Sequence, residues 1–315
     1  MLHRVIPTEQ MQIGQRFIPT DMEITTGELE KIIDYFKKRE YIFVSIGDVY
    51  NILQEKKFDQ KFIAITFDDG YVDIYHHAYP ILKREGIPFA INITTGFPDR
   101  NVIIWWYLLE ELLLKHQQLS FEINGNSYNY HFANSREKYF AFREIRDFIL
   151  NSTKENFLKK MQRIFGPLEI DLFKKTRELS LSWEQIREMS RDPLVTVGGH
   201  TINHKPLGKL TEEKIRQEIQ GSVRRIEQEI GKKVEHFSYP FGRKECGQRE
   251  FALVKEMGFK TAVTTRFTNI FPEHRDSLEC LPRIYKIGEL PLEKYLGVIT
   301  SGALSAMVYR FRRIV

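Results

Sequence analysis

The sequence predicts an α/β fold built on a parallel sheet or barrel, and three observations predict it. Short apolar runs alternate with segments of helical periodicity along much of the 315-residue chain. One run, Ile63-Ala64-Ile65-Thr66-Phe67, stops abruptly at Asp68-Asp69-Gly70. Another, Leu194–Val197, runs straight into Gly198-Gly199-His200. Ligands of parallel α/β folds bind at the carboxyl ends of strands, so both runs point to one site.

Taken in order, residues 2–6 form a first strand in this reading. Thr25-Thr26-Gly27-Glu28 has capping-box spacing and opens a helix with the apolar face Leu29, Ile32, Ile33 and Phe36. Tyr41–Ser45 reads as a strand and Gly47–Gln54 as a short helix. Beyond Gly70, Tyr71–Glu85 reads as a helix closed by Gly86, with Phe89–Ile93 as the next strand. From about 101 to 180 the rhythm changes. Trp105–Lys115 is a strongly apolar helix, Phe121–His131 a hairpin centred on Asn124-Gly125-Asn126, and helices with charged faces follow to Lys175. This block reads as a mostly helical insertion in a single domain spanning 1–315, its aromatic residues as core.

The alternation resumes at Ser182-Trp183-Glu184-Gln185, a second capping box, followed by the strand at Leu194–Val197. Thr211 caps a long helix with the buried stripe Ile215, Ile219, Val223, Ile226 and Ile230, closed by Gly231. His236–Tyr239 is a strand leading into Pro240-Phe241-Gly242; Glu250–Met257 is a helix and Phe259–Thr264 a strand.

Composition excludes several classes. An apolar content of 42% and a charged content of 28% are ordinary for a globular chain. A dispersed charge of +5, with no RNP-like, zinc-finger or helix-turn-helix pattern, argues against nucleic acid as a partner. Met1-Leu2-His3-Arg4-Val5 does not open a secretory signal, and Cys246 and Cys280 have neither disulfide-framework nor metal spacing. A reduced, cytoplasmic setting is the expectation.

Adjacent Asp68 and Asp69 would repel unless something positive holds at least one of them. Asp-Asp-Gly alone also suits a helix start, and His-x-x-x-His alone suits ordinary hydrogen bonding. Together, at strand ends, they say more. His200 and His204 are four apart and would share one face of a helical turn, letting both imidazoles reach one ion. One carboxylate and two imidazoles commonly hold catalytic zinc or a similar divalent ion. The other aspartate is then free to act as base on water that such an ion acidifies toward a pKa of ~7.

Thr66-Phe67-Asp68-Asp69-Gly70 followed by His200-Thr201-x-x-His204 resembles the pattern of the polysaccharide deacetylase family, the NodB-homology domain of carbohydrate esterase family 4. The resemblance extends to Leu181-Ser182-Trp183, Tyr239-Pro240-Phe241-Gly242, Leu281-Pro282-Arg283-Ile284 and the opening His3-Arg4-Val5. It implies a distorted seven-stranded (β/α) barrel and metal-dependent removal of acetyl groups, N-acetyl ahead of O-acetyl, from a sugar, polysaccharide or glycoconjugate precursor. Carried over residue by residue, it makes Asp68 the general base. Asp69, His200 and His204 become ligands of a divalent ion, zinc first, with cobalt or nickel as alternatives. Phe241 matches the position whose backbone N–H helps bind the oxyanion, a donor worth about 2.7–4 kcal/mol in comparable acyl-transfer sites. Tyr239 and Pro240 fall at the substrate.

Two departures from the family pattern matter. Ser238 stands where many relatives carry the arginine that orients the catalytic aspartate, and Arg283 is the candidate replacement. The C-terminal Leu-His motif that supplies the general acid is missing, since residues 281–300 contain no histidine. His3 is the candidate proton donor, on condition that it lies within hydrogen-bond reach.

No charged residue occurs from Tyr295 to Tyr309, and Arg310, Arg312 and Arg313 follow. That stretch is shorter than the roughly 20 residues a membrane span needs. It reads as a terminal helix with a basic end, or as a shallow contact with an anionic membrane surface that would suit a lipid-linked glycan. Two other functions compete with glycan deacetylation: hydrolysis of a small non-sugar amide at the same metal, and sugar binding without turnover.

Overall fold

Among the described residues, every pairing of two strands outside one hairpin is parallel, which places the helices as crossovers on the outside of the sheet. The computed structural model describes residues 1–10, 23–123, 125–151, 157–166, 170–242, 246–286 and 290–302. β1 (Arg4–Ile6) pairs with β2 (Glu23–Thr25). Glu23 of β2 is buried, and its carboxylate accepts from Arg4 Nη1 at 2.7 Å. α1 (Thr26–Lys37) starts on the Thr25–Glu28 capping box and buries Leu29, Ile33 and Phe36. β3 (Ile42–Phe43), α2 (Ile46–Glu55) and β4 (Phe62–Ile63) follow, β3 and β4 pairing with each other.

The apolar run at 63–67 therefore divides, since only β5 (Ile65–Phe67) joins the central sheet. The segment after Gly70 is not one α-helix. It is π-helical over Ile74–Ala78 before α3 (Tyr79–Arg84) begins. Pro80 has no N–H to give to the carbonyl four residues back, so the ladder widens to a five-residue step, with Tyr79 N–H donating to Ile74 O.

β6 (Phe89–Ile93) precedes the block where the rhythm of the sequence changes. That block comprises α4 (Trp105–Lys115), the hairpin β7 (Gln118–Ile123) and β8 (Asn126–His131), α5 (Ser135–Asn151), α6 (Phe157–Phe165) and α7 (Lys174–Leu179). Its Leu108, Leu112, Phe142 and Phe165 share one buried cluster with Phe67 and Ile91, so the block packs on the sheet's own core. α8 (Trp183–Ser190), β9 (Val195–Gly199), α9 (Glu212–Ile230), β10 (His236–Ser238), α10 (Gln248–Glu256), β11 (Thr261–Val263) and α11 (Leu292–Thr300) complete the order. On α9 the fully buried isoleucines are Ile215, Ile219 and Ile226, each stabilising by about 1.5–3 kcal/mol.

The central sheet runs β5, β6, β9, β10, β11. Single parallel bridges from Leu2 to Phe67 and from Val263 to Leu281 extend it at both edges. Five strands and two bridged edges make seven positions around a distorted (β/α) barrel. At the C-terminal end, α11 buries Tyr295, Leu296 and Ile299 in a cluster with Phe36. The uncharged stretch from 303 onward and its arginines lie outside the described residues. Among the described residues no helix is long and apolar enough to cross a membrane.

Candidate active site

The site assembles where β5, β6, β9 and β10 end. Backbone pairing fixes the first of these ends, for Leu2 N–H donates to Thr66 O at 2.8 Å and Asp68 N–H to Leu2 O at 3.1 Å. Both aspartates are buried. Across the sheet, His200 N–H donates to Ile93 O at 3.0 Å, so the histidine loop leaves β9 level with the end of β6.

Residues 200–204 do not form the helical turn expected from their spacing. Thr201 and His204 are left-handed, with φ of 68° and 50°, and a loop of this shape still brings the two imidazole centroids to 5.0 Å. Asp69 and Phe241 are left-handed too, at 74° and 61°. Four of the seven non-glycine residues with positive φ among those described thus belong to this one site. Each such residue costs on the order of 1–3 kcal/mol and persists only where the surroundings hold it.

Asp69, His200 and His204 each present a ligand atom, all within 4.8 Å of one another. The Nε2 atoms of His200 and His204 lie 3.3 and 3.2 Å from Asp69 Oδ1. That oxygen is buried and lacks a hydrogen-bond partner of good geometry. Nδ1 of His200 faces Ser238 O at 2.7 Å; a carbonyl only accepts, so Nδ1 carries the proton and a neutral ring turns the Nε2 lone pair toward Asp69. Lone pairs converging on a carboxylate repel unless a positive charge lies among them. Burial opposes ionisation of Asp69, yet positive charge on the His204 and His200 side chains, standing where a cation would, holds its pKa well below the ordinary value. Burial likewise disfavours the His200 imidazolium, but Asp68 and Asp69 outweigh it and raise the pKa. The donor set fits a divalent cation of the zinc type.

Asp68 stands beside this triad with both oxygens engaged. Asn92 Nδ2 donates to Oδ1 at 2.8 Å and Ser238 Oγ to Oδ2 at 3.1 Å. Arg283 donates from Nη1 to Oδ1 at 2.8 Å and from Nη2 to Oδ2 at 2.6 Å. Its Nη2 also reaches Ser238 Oγ at 2.9 Å, and its Nε is anchored on Thr264 O at 2.9 Å. Burial alone would raise the Asp68 pKa, but the Arg283 guanidinium and then His200 carry it far below the usual carboxylate range.

Asn92 escaped the sequence reading. The available signal was one amide in the otherwise apolar strand Phe89–Ile93. It pairs in register with Gly198, where an added Cβ would come within 2.3 Å of Asn92 Oδ1, so a side chain there would evict the amide.

His3 follows the residue bridged to β5, and its Nδ1 is buried without a partner. Burial lowers its pKa, while Asp69 and Asp68 push the other way, which places the ring in the field of both carboxylates. Two other histidines are engaged elsewhere: His236 Nδ1 pairs with Thr261 Oγ1 at 2.8 Å and His274 stacks on Phe271. Phe241 lays its ring 4.7 Å from that of His204, with Trp106 at 5.4 Å and Phe97 at 6.3 Å, giving His204 an aromatic wall. Trp106 comes from α4, and nothing in its sequence context marks it as a neighbour of His204.

Two expectations need correction. Tyr239 does not face a substrate, being 1% exposed and packed on Phe237 and Phe251, with its hydroxyl donating to Glu279 O at 2.8 Å. Pro240 is buried as well, and its carbonyl accepts from Gly242 N–H at 2.7 Å in the turn that presents Phe241.

Comparison with known proteins agrees with this architecture. A stretch of 73 residues is 32% identical to the poly-beta-1,6-N-acetyl-D-glucosamine N-deacetylase of Staphylococcus aureus (strain MSSA476), covering 23% of this chain and 25% of that protein. The matches thus span a quarter or less of these curated relatives. The Streptococcus pyogenes deacetylase PplD in complex with acetate superposes with a TM-score of 0.59 at 17% identity, over 95% of this chain and 96% of that one. IcaB from Ammonifex degensii does so at 0.55 and 19% identity, over 95% of each. Identities this low speak to the fold alone. The polysaccharide deacetylase family matches residues 55–262, a range that contains Asp68, Asp69, His200 and His204, and the chain belongs to that family.

Proposed function

We propose that this protein hydrolyses acetyl groups, N-acetyl ahead of O-acetyl, from an acetylated polysaccharide or glycoconjugate precursor, using a divalent cation held by Asp69, His200 and His204. The observation that carries this reading is the buried Asp69 Oδ1, unpaired, with two imidazole Nε2 atoms turned onto it. When bound, such a cation, zinc ahead of cobalt or nickel, supplies a Lewis acid for the acetyl carbonyl and lowers the pKa of water. Asp68, ionised and fixed at both oxygens, orients the attacking water and takes its proton. The backbone N–H of Phe241 is the donor toward the carbonyl oxygen as charge builds there. His3, in the field of both aspartates, relays to the leaving amine the proton that Asp68 takes from water.

The N-deacetylase named among the relatives supports amide over ester. Acetate release from acetylated chito-oligosaccharides and poly-N-acetylglucosamine tests the reading. Release should stop on chelation and return with zinc or cobalt. Metal-loaded protein that releases no acetate from any acetylated glycan would overturn it.

A further inference from the structure

We infer that Glu218 is a positioning residue, clamping the backbone of the histidine loop so that His200 and His204 aim at one cation. The inference rests on the cation site proposed above. Glu218 lies on α9 at a position that helical periodicity leaves out of the apolar stripe, yet it is 6% exposed. A carboxylate buried there needs strong donors to offset its lost hydration. It has them. Oε2 accepts from two consecutive backbone N–H groups, Ile202 at 3.1 Å and Asn203 at 2.9 Å, and Oε1 accepts from Asn203 Nδ2 at 2.7 Å. Lys205 Nζ lies 3.5 Å from Oε1.

The clamped residues sit between the two left-handed ones, Thr201 and His204, whose backbones would otherwise relax. From the other side, Thr95 N–H donates to Thr201 O at 3.1 Å and Gly96 N–H to Ile202 O at 2.9 Å. The loop is thus held by its carbonyls from the end of β6 and by its N–H groups from α9. Helix and loop approach closely, for a Cβ added at Gly221 would come within 2.6 Å of Ile202 Cδ1. The contacts of Glu218 are to Ile202, Asn203 and Lys205 rather than to the ligand atoms, so it acts through the loop.

Zinc affinity of chelator-stripped, full-length protein, measured by calorimetry, tests the inference, with amide exchange at Ile202 and Asn203 recorded without metal. Glu218→Ala should weaken zinc binding about 10–100-fold and speed that exchange. Glu218→Gln, whose amide oxygen still accepts both N–H groups, should stay within about threefold of wild type. Glu218→Asp keeps the charge but withdraws it by one methylene, and should bind zinc as poorly as the alanine variant; this arm decides the matter if Glu218→Ala does not fold. Wild-type affinity in Glu218→Asp or Glu218→Ala, or an equal loss in Glu218→Gln, overturns the inference. His204→Ala separates the two readings: if it binds zinc as wild type does, the cation site fails; if it loses zinc while Glu218→Ala does not, only the role of Glu218 fails.

Discussion

Arg283 grips Asp68 across 215 residues of sequence, with Nη1 on Oδ1 at 2.8 Å and Nη2 on Oδ2 at 2.6 Å. The fork matches the carboxylate edge to edge, so one contact sets both its position and its plane. Ser238 is too short to do this from β10, and its hydroxyl bridges the pair instead, accepting from Arg283 and donating to Asp68.

Removing the guanidinium should be costly in two separable ways. Arg283→Ala leaves a buried carboxylate uncompensated and should lose about 3–5 kcal/mol in urea unfolding. Arg283→Lys restores the charge but not the fork; it should recover most of that stability while acetate release stays about tenfold or more below wild type.

Base and ligands should separate by metal content. Asp68→Asn should retain zinc and lose turnover by about 100-fold or more. His200→Ala and His204→Ala should lose zinc as well as turnover, measured by metal analysis after dialysis beside acetate release. Zinc retained in both histidine variants would refute the assignment.

Asn92→Ala removes one hydrogen bond to ionised Asp68, and Ser238→Ala removes two, one to Asp68 and one from Arg283; each bond is worth about 1.5–3 kcal/mol, and each variant should lower kcat roughly tenfold or more without releasing the cation. Gly198→Ala should act like Asn92→Ala by displacing the amide. The folded-state pKa of Asp68 is depressed, so its contribution is present above the unfolded carboxylate pKa and lost as pH falls through the folded value. Removing a donor raises the folded value, so acid unfolding of Asn92→Ala should begin at higher pH than in wild type.

A second pH effect lies away from the site. Burial pushes the His236 pKa down to about 4, against about 6.5 in an unfolded chain. Between those values the unfolded state binds more protons, so stability rises with pH across the window and is lost on acidification, by on the order of 3 kcal/mol in all. His236→Gln should flatten the dependence of Tm on pH between 4 and 6.5, read by thermal melts in matched buffers. An unchanged slope would remove His236 as its source.

Strand and helix positions were legible because period and capping are local. The boxes at Thr25–Glu28 and Ser182–Gln185 form as their spacing requires, and Trp105–Lys115 is helical over the expected bounds. The histidine loop shows where that logic stops. A four-residue spacing is satisfied equally by a helical turn and by a loop with two left-handed residues, and the choice rests on Glu218, Thr95 and Gly96 from other elements. Tyr239 fails for a related reason: a residue beside a functional turn can face the core as readily as the cleft.

By itself the sequence determined the alternating fold and the residue types placed at its strand ends, since apolar periodicity and the chemistry of Asp and His are properties of short segments. Only the tertiary structure decided that Arg283, Asn92 and Ser238 share Asp68, that Glu218 holds the histidine loop, and that Trp106 walls His204. Those partnerships depend on sheet register and on how helices lie over the strands. Both are settled by packing between segments tens to hundreds of residues apart, which no local pattern records.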